Sequence, residues 1–208
     1  MNLISIIIPV RNCENFIFDT LTILKSLQNI KIFLADGGSQ DKTLKIVNDF
    51  VDDGLDIKII SYNDSGQSNA LNKLLPYVKT PFFLWLNADD LISKRFVQYA
   101  QNAINAIDVY DRKKLVSITS NSIFINQDDK FVKYQFGLKD ASYLVKNGIW
   151  FGKFPCRVWN TDLVNSVGGL REDLFYSMDF DLLRRQYLKH QNLFSIHSND
   201  FMGAFRLH

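Results

Sequence analysis

Pro81-Phe82-Phe83-Leu84-Trp85-Leu86 runs without a charge into Asn87-Ala88-Asp89-Asp90, and this change of character decides the fold class. An apolar run of that length reads as a strand buried on both faces. Such strands belong to open α/β sheets, whose ligands gather outside the carboxyl ends of the strands. Carboxylate and amide oxygens at that point are hard donors, suited to Mg²⁺ or Mn²⁺ holding a phosphate. The same letters permit a plainer role, in which Asp89, Asp90 and Ser93 cap a helix starting near Lys94.

Strands and helices alternate ahead of this run. Leu3 to Val10 is a β-branched stretch stopped by a polar loop, and Phe16, Ile17, Thr20, Leu21, Leu24 and Leu27 then recur at helical spacing. Ile30 to Ala35 and Ile57 to Ile60 read as further strands, with helices carried by Leu44, Ile46, Val47 and Phe50 and by Ala70, Leu71, Leu74 and Leu75. This alternation predicts a mainly parallel sheet with helices on both faces, a three-layer α/β sandwich. The second half is less regular. A helix is expected from Ser93 to Ile107, strands over Leu115–Ile125 and Phe131–Phe136, and short elements over Ala141–Asn147, Phe154–Trp159 and Asp162–Val167. Met178 to Lys189 reads as a helix with Ser177 as its cap, followed by two strand-like segments, Asn192–His197 and Phe201–Leu207. No repeat or linker interrupts the chain, so residues 1–208 are expected to form one domain. Residues 1–90 would be its nucleotide half and 91–208 its acceptor and catalytic half.

Composition excludes some classes of function. A chain of 208 residues with 47% hydrophobic content can bury a sizeable core. Its 24 Lys and Arg against 22 Asp and Glu are too balanced to point to nucleic acid. Arg112-Lys113-Lys114 and Arg184-Arg185 read as solvated faces that could also touch an anionic membrane surface. Cys13 and Cys156 fit no metal spacing and suggest a reducing compartment. Without a membrane-length apolar run or a signal-peptide pattern, the chain reads as soluble and cytoplasmic.

Three further loops carry polar groups. Arg11-Asn12 follow the first strand and Asp36-Gly37-Gly38-Ser39 the second, so both open at the same sheet edge as Asn87-Ala88-Asp89. An Asp there can accept hydrogen bonds from a base or ribose, although Gly37-Gly38 also suits a plain turn with Asp41 favouring the next helix. Asp64-Ser65-Gly66-Gln67-Ser68-Asn69 opens the third helix and could line a phosphate or sugar pocket, or simply connect. Asp179 and Asp181 both fall in the first turn of a late helix, where the dipole favours them and where either could act as a general base.

Taken in order, these blocks bring a family into view. Ser5-Ile6-Ile7-Ile8-Pro9-Val10-Arg11-Asn12, Asp36-Gly37-Gly38-Ser39-Gln40-Asp41, the Ser65–Lys73 stretch, Trp85-Leu86-Asn87-Ala88-Asp89-Asp90, Gly168-Gly169, Met178-Asp179-Phe180-Asp181 and Phe205-Arg206-Leu207-His208 resemble family 2 glycosyltransferases of the GT-A fold. The resemblance spans nearly the whole chain. It implies that Pro9, Val10, Arg11 and Asn12 lie along the base and ribose and that Asp36 accepts from the base. Asn87 would face the ribose beside Ala88, with Asp89 as metal ligand for Mn²⁺ or Mg²⁺ and His208 meeting the metal or diphosphate. Gly66, Gln67 and Asn69 would border the donor sugar. Asp179 would be the catalytic base, while Asp181 braces loops or pairs with Arg184. The sequence departs from the family pattern at Arg11 for Tyr, Asn87 for the first Asp, Lys42 for Gly and Met178 for Glu.

The implied function is inverting transfer of a sugar from a nucleotide-diphosphate donor, UDP-type first, to a hydroxyl on a glycan or glycolipid. Surface polysaccharide or lipopolysaccharide assembly at the inner membrane face would be the setting. Aromatic residues between Trp150 and Trp159 would supply acceptor contacts. Two rivals stand beside this reading. One is a nucleotide-sugar-binding module that does not transfer. The other is a sugar-1-phosphate nucleotidyltransferase, which would call for a Gly- and Arg-rich loop where Val10-Arg11-Asn12-Cys13 stands.

Overall fold

The computed structural model describes residues 2–27, 30–62, 65–138, 142–149 and 156–207. Its first part contains four parallel strands, β1 (Ile4–Val10), β2 (Ile32–Asp36), β3 (Ile57–Ser61) and β4 (Phe82–Trp85), laid side by side as β3-β2-β1-β4. Helices α1 (Ile17–Lys25), α2 (Thr43–Asp52) and α3 (Gln67–Leu74) connect them. All seven residues of β1 are buried, as its unbroken apolar run requires. Alternate side chains of β1 serve opposite layers. Ile4, Ile6 and Ile8 pack with Leu21, Val47 and Phe96 on one face, and Ile7 packs with Leu71, Leu74 and Leu182 on the other.

After β4 the chain forms β5 (Leu91–Ile92), α4 (Lys94–Ala106), α5 (Val109–Arg112), β6 (Leu115–Ile125), β7 (Phe131–Gln135) and α6 (Ser142–Lys146). It ends with β8 (Arg157–Asn160), α7 (Thr161–Ser166), α8 (Met178–Lys189) and β9 (Phe194–Arg206). Strand β8 inserts antiparallel between β4 and β6, β7 pairs antiparallel with β6, and β5 pairs antiparallel with β9. Only β9 returns parallel, alongside β6. The sheet is therefore mixed, which corrects the expectation of mainly parallel strands. The cause is local: a short turn such as the one from β6 to β7 can join only antiparallel strands, whereas a parallel return needs a longer crossover.

Two further expectations change. The two segments expected at Asn192–His197 and Phe201–Leu207 merge into a single strand, β9, because the polar triplet Ser198-Asn199-Asp200 only shifts the register of the ladder with β6, which resumes at Phe201. Ser177 does precede α8, but it adopts a left-handed conformation at φ 57° and its side chain makes no capping bond. No helix among the described residues is long and apolar enough to cross a membrane.

Candidate active site

Parallel pairing brings the first polar loops together. Val10 lies opposite Asp36 across the β1–β2 pair, and Ile7 lies opposite Trp85 across β1–β4. Pro9 and Val10 are buried, while Arg11 and Asn12 emerge at the edge. Asn12 has φ 50°, a left-handed conformation that Asn tolerates better than most residues. Its N–H donates to Ser39 Oγ at 2.9 Å, and its Oδ1 accepts from the Gln40 N–H at 2.8 Å. Asp36, 1% exposed, accepts from the backbone N–H of Gly38 at 3.2 Å and of Ser39 at 3.1 Å. Each loop thus holds the other in shape.

Asn87 is the hub of the next loop. Its Oδ1 accepts from Gln67 Nε2 at 2.7 Å and from Trp85 Nε1 at 2.9 Å, and its Nδ2 donates to Asp90 Oδ2 at 2.9 Å. The buried Thr20 hydroxyl of α1 reaches the carbonyls of Ala88 and Asp90. Arg206, 2% exposed, donates its own N–H to Asp90 Oδ1 at 3.0 Å, its Nε to the Asp89 carbonyl at 3.0 Å and its Nη1 to Asp129 at 2.6 Å. Ser93 caps α4 by accepting from the Arg95 N–H, so Asp89 and Asp90 are spared that task. Burial first, and then the charge of Asp89, push the Asp90 carboxyl up to about 8. The same two influences raise the free thiol of Cys13 to about 12, which leaves it protonated.

Beside this loop lies a cleft of about 250 Å³, bounded by Gln67, Asn87 and Asp90 on one side and Ser177, Met178 and Asp179 on the other. Arg157 and Trp159 of β8 also line it, with Phe175, Tyr176 and Phe205 completing an aromatic wall. Asp181 does not line the cleft. It pairs with Arg185 Nε at 2.7 Å, one residue beyond the expected Arg184, and Arg185 also donates to the carbonyls of Val167 and Gly169. Arg157 is 4% exposed, its guanidinium 5.1 Å from the Trp159 ring. Burial lowers its pKa from the usual value, and the charges of Asp179 and Tyr187 oppose that shift.

The site residues expected from sequence do not all gather in one place. Gln67, Asn87 and Asp179 meet in the cleft, with Gly66 at the start of α3 at φ 132°, a conformation reserved for glycine. Pro9, Val10, Asn12 and Asp36 gather at the neighbouring loops. Asn69 is engaged elsewhere, donating to Glu172 at 2.8 Å and helping to hold the loop after Gly168-Gly169. His208 and Trp150 to Pro155 lie outside the described residues. Arg157 and Arg206 received no role from sequence. A lone charge opening the apolar Val158-Trp159 stretch was the available sign for Arg157.

Among the described residues no three His, Cys, Asp or Glu side chains stand close enough to hold a metal ion by themselves. The half-buried Asp89 is still a donor of the kind a hard cation takes. Mg²⁺ and Mn²⁺ commonly take one or two protein carboxylates and complete their shell with phosphate and water.

The sequence pattern of glycosyl transferase family 2 matches residues 5–149, and the chain belongs to that family. An uncharacterized glycosyltransferase of Rickettsia typhi is 27% identical over 191 residues, covering 86% of this chain and 57% of its own length. The teichoic acid poly(glycerol phosphate) polymerase of Staphylococcus epidermidis is 29% identical over 112 residues, 52% of this chain and 16% of that protein. In structure the chain resembles S. aureus TarS 1-349 in complex with UDP-GlcNAc, with TM-score 0.78 and 18% identity over 100% of this chain and 59% of that one. It also resembles the mannosyltransferase PcManGT of Pyrobaculum calidifontis in complex with GDP-Man and Mn²⁺, with TM-score 0.73 and 16% identity over 98% and 56% of the two chains. These likenesses show the fold, the GT-A fold of glycosyltransferases. The chain spans little more than half of the Rickettsia relative and of both solved chains.

Proposed function

We propose that this chain binds a nucleotide-diphosphate sugar, UDP-type before others, and transfers the sugar with inversion to a hydroxyl of a glycan or glycolipid acceptor. The observation that carries the reading is that α8 presents Asp179, and not Asp181, to a cleft shared with the Asn87–Asp90 loop. In this reading the base and ribose lie along Pro9 to Asn12 and Asp36, and Gln67 and Asn87 face the donor sugar and ribose. Asp179 takes the proton of the acceptor hydroxyl as its oxygen forms a bond to the anomeric carbon. The bond from that carbon to the diphosphate breaks on the opposite face, and the bonding electrons leave with the diphosphate. The charge-rich transition state resembles that of glycoside hydrolysis. Mn²⁺ or Mg²⁺, held by Asp89 with His208 as a second ligand, would offset charge on the leaving diphosphate. Similarity to a teichoic acid polymerase supports a setting in cell-surface polymer synthesis.

Calorimetry of nucleoside diphosphates and their sugars, with and without Mn²⁺, tests the donor half of the proposal. Affinity should rise with metal, and Asp89→Ala should abolish that rise while the protein still unfolds cooperatively. Equal affinity in Mn²⁺ and in EDTA would remove the metal. Donor binding without turnover across a broad acceptor panel would favour a binding module instead.

A further inference from the structure

Helix α8 begins with two carboxylates, and their partners divide cleanly. Asp181 is taken by Arg185. Asp179 lines the cleft together with Arg157, a buried cation mounted on β8. That strand is held on both sides, Val158 facing Leu84 of β4 and Arg157 itself facing Thr119 of β6, so the guanidinium is carried by rigid backbone. The Trp159 ring, 5.1 Å away, further restricts its plane. A charge this deep in a protein is sustained by an opposite charge and not by water. Among the described residues, Asp179 and Tyr187 act on Arg157 by charge; Asp179 is the carboxylate of the two and shares the cleft with it, while Tyr187 exchanges a hydrogen bond with Ser195 at 2.9 Å.

The need for such a cation is chemical. Trp159, Phe175, Met178 and Phe205 wall the cleft, and an apolar wall disfavours an ionised carboxylate. A general base must nevertheless arrive ionised. Among the described residues, the other ionisable groups lining the cleft are Tyr176 ahead of α8 and Asp90 across from it, while His197 of β9 meets Thr119 at 2.8 Å. We propose that Arg157 is a positioning residue for Asp179, holding that carboxylate ionised and aimed into the cleft; this rests on the reading of Asp179 as the base.

Labelling every aspartate carboxyl of the full chain with ¹³C gives each one a titration curve by nuclear magnetic resonance, with Asp179 assigned through its loss in Asp179→Asn. Removing a neighbouring cation favours the protonated acid. In Arg157→Met the Asp179 midpoint should therefore rise by about one pH unit or more, and the acid limb of the transfer rate should move up with it. Nucleotide affinity should stay within about twofold, since a positioning residue for the base does not hold the donor. Arg157→Lys keeps the charge but loses the flat fork, so it should restore the midpoint more fully than the rate. An unmoved midpoint in folded Arg157→Met overturns the proposal, as does a loss of thermal stability with an unchanged pH profile. If Arg157→Met does not fold, the same titration in Arg157→Gln decides: a raised Asp179 midpoint supports the pair, and an unmoved one overturns it. A raised midpoint with normal transfer by Asp179→Asn supports the pair and removes the base role alone.

Discussion

The two halves of the sheet build their parts of the cleft by different means. In the parallel half, β1 to β4, the loops are braced by backbone groups close at hand. Asp36 holds the N–H groups two and three residues ahead of it, and Asn12 joins its loop to Ser39 and Gln40. In the mixed half, buried arginines take over. Arg157 of β8 lines the cleft together with Asp179, and Arg206 of β9 bonds the Asp89 carbonyl, Asp90 and Asp129, partners 77 to 117 residues away in sequence. Local bracing suits a pocket that must be ready before a ligand arrives. Buried charge suits groups whose ionisation and aim decide a rate. The first half should therefore govern affinity and the second the chemical step.

The largest effect that could break this division belongs to Asp179. Asp179→Asn is nearly isosteric and removes only the proton acceptor, so transfer should fall by about two to four orders of magnitude while donor affinity holds. Asp181→Asn should lower stability instead, because it strips Arg185 of its carboxylate. Transfer rate, calorimetry and thermal melting on both variants separate the two outcomes. Normal transfer by Asp179→Asn with a folded, inactive Asp181→Asn would reverse the assignment.

Arg206 tests whether the second half can be damaged without touching the first. Arg206→Met takes the cation away from Asp129 and the Asp89 carbonyl, and breaking a buried pair from one side costs about 3–5 kcal/mol. Asp129 is 58% exposed, so its part in that loss is screened by water and the lower end of the range is expected. Urea unfolding measures it. The metal-dependent gain in nucleotide affinity should shrink as well, since the loop that carries Asp89 loses its anchor.

A smaller effect sharpens the comparison from the other side. Asp36→Ala should weaken nucleotide binding by about 1–3 kcal/mol whether or not metal is present, the cost of leaving charge-assisted hydrogen bonds unmade. Transfer from saturating donor should change little. Weakening confined to the sugar-bearing ligand would place Asp36 away from the base.

How far the sequence reveals all this follows the same division. Strands β1, β2 and β4 are legible because burial on both faces leaves unbroken apolar runs, and the loops after them then fall at one edge by topology alone. Asp179 is legible as a polar group at a helix start. The rest depends on distant partners. Nothing near Asn69 announces Glu172, which is 103 residues further on. Asp181 meets Arg185 and not Arg184, a choice between two neighbouring positions on one helix face that spacing alone leaves open. Arg157 reads as a surface charge until β4 and β6 close around its strand. The two-residue β5 is too short to show any period.

Strand β9 also sets the order in which the molecule can assemble. Its parallel partner β6 lies 78 to 81 positions earlier in the chain, as in Thr119 opposite His197 and Ile125 opposite Arg206, whereas β1 and β2 pair across 26. Contacts so distant in sequence are slow to form, because a long loop must close before they are made. The parallel half can condense early around β1, but the loop bearing Asp89 and Asp90 stays unanchored until Arg206 docks. In pulse-labelled hydrogen exchange during refolding, the amides of β1, β2 and β4 should gain protection before those of β5 and β9. Simultaneous protection would mean that the two halves fold as one. A late β9 means that the chain acquires a compact core before it acquires a working centre.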